Sequence, residues 1–144
     1  MNRLIFLVLI ALNVTSIFAS KYLVYRARMK IGFYPTASAS QRSIGWLDEG
    51  DYIYAQGYSP DGKWVLYYDG WVQKNALSQV GITNKKPNCK TNAPLNFRTG
   101  PSTSYFRLDL LPIGTEVVRY GYDWRNQDWA ITDYGYCNNQ YLTC

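Results

Sequence analysis

Histidine is absent from all 144 residues, and that absence bounds the chemistry open to this chain. Without an imidazole there is no Ser-His-Asp triad, no Cys-His dyad and no histidine-ligated metal. Three cysteines, Cys89, Cys137 and Cys144, are too few for a structural zinc site on their own. The only glutamates are Glu49 and Glu116. A two-carboxylate glycosidase remains formally open, but both lie beside Gly turns, where solvated turn carboxylates are expected. The chain is therefore expected to be no enzyme and to use no cofactor or metal. Aromatic side chains are abundant instead: five Trp and fourteen Tyr exceed what small cores need. Flat rings pair with apolar sugar faces and peptide planes while a polar tip stays in water, which is the chemistry of binding. Tyr105, Trp124, Trp129 and Tyr134 are the ligand-binding candidates of the second half, with Arg98 and Asp123 as polar partners. Trp64 and Tyr68 are the candidates of the first half.

The elements that must position these residues occur twice. With an offset of 64, Ile31 meets Leu95, Phe33 meets Phe97, Gly50 meets Gly114 and Tyr58 meets Tyr122. With an offset of 65, Trp64 meets Trp129, Gly70 meets Gly135, Trp71 meets Tyr136 and Leu77 meets Leu142. Such register marks a tandem duplication. Recurrence also weighs against part of the candidate list, because Trp64 and Trp129 would recur equally if they only packed a core, and core is the stronger reading for that pair. Trp71 and Tyr136, after the turn glycines, read as core. Trp124, in the polar run "DWRNQ", reads equally as a ligand contact or as an exposed ring of no consequence.

Each copy reads as about five short strands in some fifty residues, with no sustained 3.6-residue apolar period. In the second copy "PLNFR" is a strand, "TGPSTS" a loop and "YFRLDLL" a strand with Phe106, Leu108 and Leu110 on one face. "PIG" turns the chain, and "TEVVRYGY" and "DWAITDYGYC" follow as strands. So few residues cannot cover a flat sheet on both faces, and curling into a small barrel buries the apolar face and removes open edges. The expected fold is all-β, two small β-barrels in tandem.

Before the repeats, "LIFLVLIALNVTSIFAS" follows a single arginine, Arg3, and ends in small residues, the layout of a secretory signal peptide. The run is short for a membrane span and is interrupted by Asn13, Thr15 and Ser16. The expected organisation is a signal peptide over 1–19, cleaved after Ala19 or Ser20, a first copy over 21–78, a linker over 79–88 and a second copy over 89–144. The mature protein is expected to be secreted and extracellular, or periplasmic in a Gram-negative source, with no stable membrane insertion. Loss of Arg3 leaves 14 basic against 10 acidic residues, a net charge of +4. They are scattered rather than clustered, so a nucleic-acid partner is not expected.

The second copy, "LNFRTGPSTSY…LPIGTEV…W…YGY…YL", resembles the bacterial-type SH3 domain, whose unit opens Leu-Asn-Val-Arg-Ser-Gly-Pro-Ser. Leu95, Asn96, Arg98, Gly100, Pro101, Ser102, Gly114, Trp129, Gly135, Tyr136, Tyr141 and Leu142 fall on that pattern over Cys89 to Cys144. The first copy departs from it, with Gly32 in place of the Asn, Tyr34 in place of the Arg and "TAS" in place of Gly-Pro-Ser. The resemblance implies that the two barrels are SH3-like, a small β-barrel that is often tandem, binds or positions bacterial peptidoglycan and is usually attached to a wall hydrolase. Peptidoglycan or another cell-wall polymer is thus the expected partner. A secreted protein, such as a hydrolase that the chain would bind or inhibit, is the alternative. The "RTGPSTSY" loop looks like the loop that walls the family's ligand groove. Terminal strands of such a barrel lie near each other, so Cys89 and Cys144 form the expected disulfide and Cys137, in the place of Val72, is a buried thiol. A Cys137–Cys144 bridge is the alternative pairing.

Overall fold

The computed structural model describes residues 21–81 and 85–144. The expected signal peptide over 1–19, and residues 82–84 of the expected linker, lie outside the described residues. Within the described residues the chain is all-β. In the first copy the strands are β1 (Val24–Ala27), β2 (Ile31–Phe33), β3 (Gly45–Leu47), β4 (Tyr52–Tyr54), β5 (Gly57–Tyr58), β6 (Trp64–Tyr67), β7 (Gly70–Gln73) and β8 (Leu77–Gly81). The second copy has β9 (Cys89–Thr91), β10 (Leu95–Arg98), β11 (Arg107–Leu111), β12 (Glu116–Val117), β13 (Arg119–Tyr122), β14 (Trp129–Thr132), β15 (Gly135–Asn138) and β16 (Leu142–Thr143). A single 3-10 turn precedes the last strand of each, at Lys74–Ala76 and Asn139–Tyr141.

The repeat in sequence is a repeat of topology. Strand β1 lies between β4 and β8 as β9 lies between β12 and β16. The antiparallel β2–β3 pair returns as β10–β11, and the β5-β6-β7 ribbon as β13-β14-β15. Even the single bridge from Tyr34 to Trp71 recurs, as Arg98 opposite Tyr136. Each copy has eight strands where sequence reading expects five, because the longer runs change sheet part-way. "TEVVRYGY", for instance, breaks at Val118 into β12, which pairs with β9, and β13, which pairs with β14. Strand β8 runs to Gly81 and pairs with β1, so Gln79, Val80 and Gly81 belong to the first copy and not to the linker.

Register also corrects one face. Leu111 pairs with Leu95 and Leu110 with Asn96. Cross-strand partners share a face, so Leu111 goes into the core with Leu95, and Leu110 and Phe106 stay exposed. The glycines after β6 and β14 have a steric reason. A Cβ at Gly70 would lie 2.7 Å from the Tyr34 carbonyl oxygen, and one at Gly135, whose φ is +132°, would lie 2.9 Å from that of Arg98. Any side chain there would push the hairpin off its neighbouring strand.

Three clusters hold the fold. Tyr25, Ile53, Val65, Val72 and Leu77 centre the first copy, and Leu95, Phe97, Val117, Ala130, Cys137 and Leu142 the second. The third joins them: Val24 and Tyr54 of the first copy pack with Trp129, Ile131 and Tyr136 of the second. Tyr54 meets the Tyr136 ring edge-on at 5.7 Å, a preferred aromatic geometry. The Tyr22 N–H donates to the Asp133 carbonyl across the same seam, at 2.7 Å. Cys89 and Cys144 form the disulfide, which ties β9 to the chain end beside β16. Cys137 is a buried free thiol.

Candidate functional site

Where the copies meet, a cleft of about 230 Å³ opens to the surface. The first copy supplies Phe33, Trp46, Asp51, Tyr52, Tyr67 and Asp69, and the second supplies Thr99, Gly100, Pro101, Tyr105, Asp123, Arg125 and Tyr136. The far wall is the loop between β10 and β11. Its shape follows from its residues: the Tyr105 ring lies so close over Gly100 that a Cβ there would fall 2.4 Å from it. Arg98 Nη1 donates to the Tyr105 carbonyl at 3.0 Å, pinning the loop's end to β10. The Ser102 and Ser104 hydroxyls bond to each other at 2.6 Å, as Ser38 and Ser40 do at 2.7 Å in the matching loop of the first copy.

Charge in the cleft is arranged around Arg125. Its guanidinium reaches Asp48 at 2.7 Å and Asp51 at 2.8 Å and lies over the Trp124 ring, 4.2 Å from the centroid. Burial works against the Arg125 charge, but hydrogen bonds and attraction from Asp51 and Asp48 outweigh it and raise its pKa. Trp124 Nε1 also donates to Asp51, at 3.1 Å. Asp123 is buried, and its Oδ2 accepts from the Arg125 and Asn126 backbone N–H groups, both at 2.9 Å. Asp69 sits at the rim with no hydrogen-bond or ion-pair partner among the described residues, and desolvation raises its carboxyl above the usual range. The Tyr67 phenol is raised by burial and by the charges of Asp69 and Asp51.

The sequence-derived candidates are therefore spread over several places. Tyr105 and Asp123 line the central cleft. Arg98 and Trp129 share a separate groove of about 360 Å³ with Asn96, Thr103, Asn138 and Tyr141. Trp64 lines the corresponding hollow of the first copy, about 580 Å³, beside Gln73 and Lys74. Trp64 and Trp129 face equivalent partners, Gln73 and Asn138, across their hairpins, and each keeps only 8% of its surface exposed. They are core rings with one accessible edge. Tyr134 covers Phe97 edge-on at 5.9 Å, with the Lys21 ammonium above it. Tyr68 crosses the seam to stack on Phe106 at 4.8 Å. Trp124 caps the Arg125 cluster rather than facing the cleft.

Trp46, Tyr52, Tyr67, Asp69 and Arg125 escaped the sequence reading. The three rings left a trace: Trp46, Tyr52 and Tyr67 align with Leu110, Glu116 and Thr132, and a strand ring that repeat packing does not require is a candidate for contact, most of all the exposed Trp46. It is 60% exposed. The rings of the cleft can stack on a ligand, and its carboxylates and guanidinium can hydrogen-bond one.

No family model matches the sequence, and no curated protein matches it. Among solved structures, NlpC2 from Trichomonas vaginalis superposes with a TM-score of 0.41 and 18% identity, over 87% of this chain and 49% of that one. NlpC1 from the same organism gives 0.41 and 16%, over 88% and 47%. The chain thus spans about half the length of these two proteins. At such scores neither fold nor function transfers from them.

Proposed function

We propose that the chain is a secreted, non-catalytic module that binds bacterial cell-wall peptidoglycan at the cleft between its two copies. One observation carries this reading: six aromatic rings, Phe33, Trp46, Tyr52, Tyr67, Tyr105 and Tyr136, line one recess built from both copies. Its far wall is the loop that the resemblance to bacterial SH3 domains places at the ligand groove. Rings with polar tips suit a polymer of sugars and short peptides. The Cys89–Cys144 disulfide fits an oxidising compartment outside the cytoplasm.

The test is co-sedimentation of the purified exported chain with washed peptidoglycan. Trp46→Ala and Tyr105→Ala remove exposed cleft rings without opening a core. Each should weaken saturable binding by at least tenfold while the circular dichroism stays native. If the wild type sediments no better than a control protein of equal charge, the wall reading falls. A secreted protein partner then takes its place.

A further inference from the structure

The cleft is locally acidic on a basic protein. Three carboxylates, Asp51, Asp69 and Asp123, line it against one guanidinium, while the whole chain carries +5. The Asp51 and Asp123 carboxylates already have partners, so Asp69 is the one whose charge is unanswered. A second, independent feature stands beside it. Tyr67 is 93% buried, with 7% of its surface exposed, yet its hydroxyl oxygen has no hydrogen-bond partner. Tyr67 lines the recess together with Asp69, Asp51 and Tyr105, and the Asp69 and Asp51 charges act on its phenol. An orphaned buried hydroxyl costs stability unless something it binds repays the desolvation.

From this geometry we infer that the cleft is a subsite for a primary ammonium on an aliphatic stem, the end of an ω-amino side chain in a peptide. Asp69 supplies the countercharge, the Tyr67 hydroxyl accepts one N–H, and the Phe33, Trp46 and Tyr105 rings flank the stem and attract the cation. A metal ion fits less well, because no three acidic or thiol side chains among the described residues converge tightly enough to hold one. Size agrees: about 230 Å³ is below what drug-sized ligands occupy and is room enough for a single amino-terminated side chain. The inference rests on the wall-binding reading and refines it, since it makes the peptide part of the polymer, and its free amine, the group that the cleft selects.

The experiment has two arms. In the first, the isotopically labelled chain is titrated by NMR with a short peptide carrying a free lysine ε-amine and with its Nε-acetyl counterpart. Saturable shifts at Trp46, Tyr67 and Asp69 are expected for the free amine, with at least tenfold weaker binding of the acetylated peptide. Asp69→Asn should weaken the free-amine peptide about tenfold and Tyr67→Phe severalfold, both with native spectral dispersion. Equal affinity for the two peptides, or no saturable shift with either, overturns the ammonium subsite. In the second arm, peptidoglycan with acetylated amines replaces the native polymer in sedimentation. Binding that survives both acetylation and Asp69→Asn keeps the wall reading and sinks the subsite. Binding to the free-amine peptide without sedimentation does the reverse.

Discussion

At the scale of single residues, the duplication is most informative where it fails. The β6–β7 turn reads Tyr68-Asp69, and the β14–β15 turn reads Asp133-Tyr134, the same two residues in reverse order. In the first copy the carboxylate ends at the cleft rim. In the second it is buried, with Oδ1 accepting from the Val118 N–H at 2.9 Å and Lys21 Nζ 3.8 Å from Oδ2. Burial raises the Asp133 carboxyl above the usual range. The folded state therefore holds that proton more tightly than the unfolded chain. The contribution is full below the unfolded pKa and is lost as pH rises through the folded value. Asp133→Asn keeps the acceptor for Val118 and removes the pH-linked loss. Its melting temperature relative to wild type should be higher at pH 7 than at pH 4, read by thermal denaturation at both; an offset independent of pH would contradict this. Cys137 gives a second residue-scale expectation. Burial pushes its thiol up to about 12. A thiol reagent at pH 8 should leave it unmodified for minutes in the native protein and label it fully in guanidinium; rapid native labelling would mean that the core opens there.

At the scale of elements, the hairpin glycines and the disulfide decide stability. Gly135→Ala places a Cβ against the Arg98 carbonyl at a φ of +132°, with no flexible neighbour to give way on that side. It should cost about 1–3 kcal/mol in chemical denaturation; a neutral result would show that β10 can move. The Cys89–Cys144 bond closes a separation of 55 residues. Loop entropy alone makes it worth ~4 kcal/mol, with ~2–4 typical of measurement. Cys89→Ser with Cys144→Ser should lower stability within that range. The bridge was legible in the chain because first and last strands of a small wrapped sheet meet, as β9 and β16 do. Strand number was not, since strands that switch sheet look continuous in sequence.

At the scale of the whole molecule, the third cluster matters more than the ion pairs beside it. Tyr54 is almost fully enclosed between Val24 and rings of the other copy, and Tyr54→Ala should cost about 3–5 kcal/mol. Arg125 and Asp48 are well exposed and only Asp51 is more enclosed, so Arg125→Ala should cost about 1 kcal/mol. Because apolar surface of each copy is buried by the other, calorimetry of the wild type should show one transition whose van't Hoff and calorimetric enthalpies agree. Two separated transitions would mean that the copies fold as independent beads.

The β character and the glycine turns are written in local pattern, because period and turn chemistry act over a few residues at a time, and the duplication is written in the match of residues 64 to 65 apart. That Trp64 and Trp129 are mainly core also follows from the repeat, since both copies need the same packing. The cleft is different in kind. Trp46, Tyr67 and Asp69 meet Tyr105, Asp123 and Arg125 only because the copies dock at one angle. That angle is set by the Val24, Tyr54, Ile131 and Tyr136 contact. The sequence by itself determined two all-β copies rich in rings. Only the tertiary structure decided which rings face each other, because non-local packing of side chains far apart in the chain has no local signature.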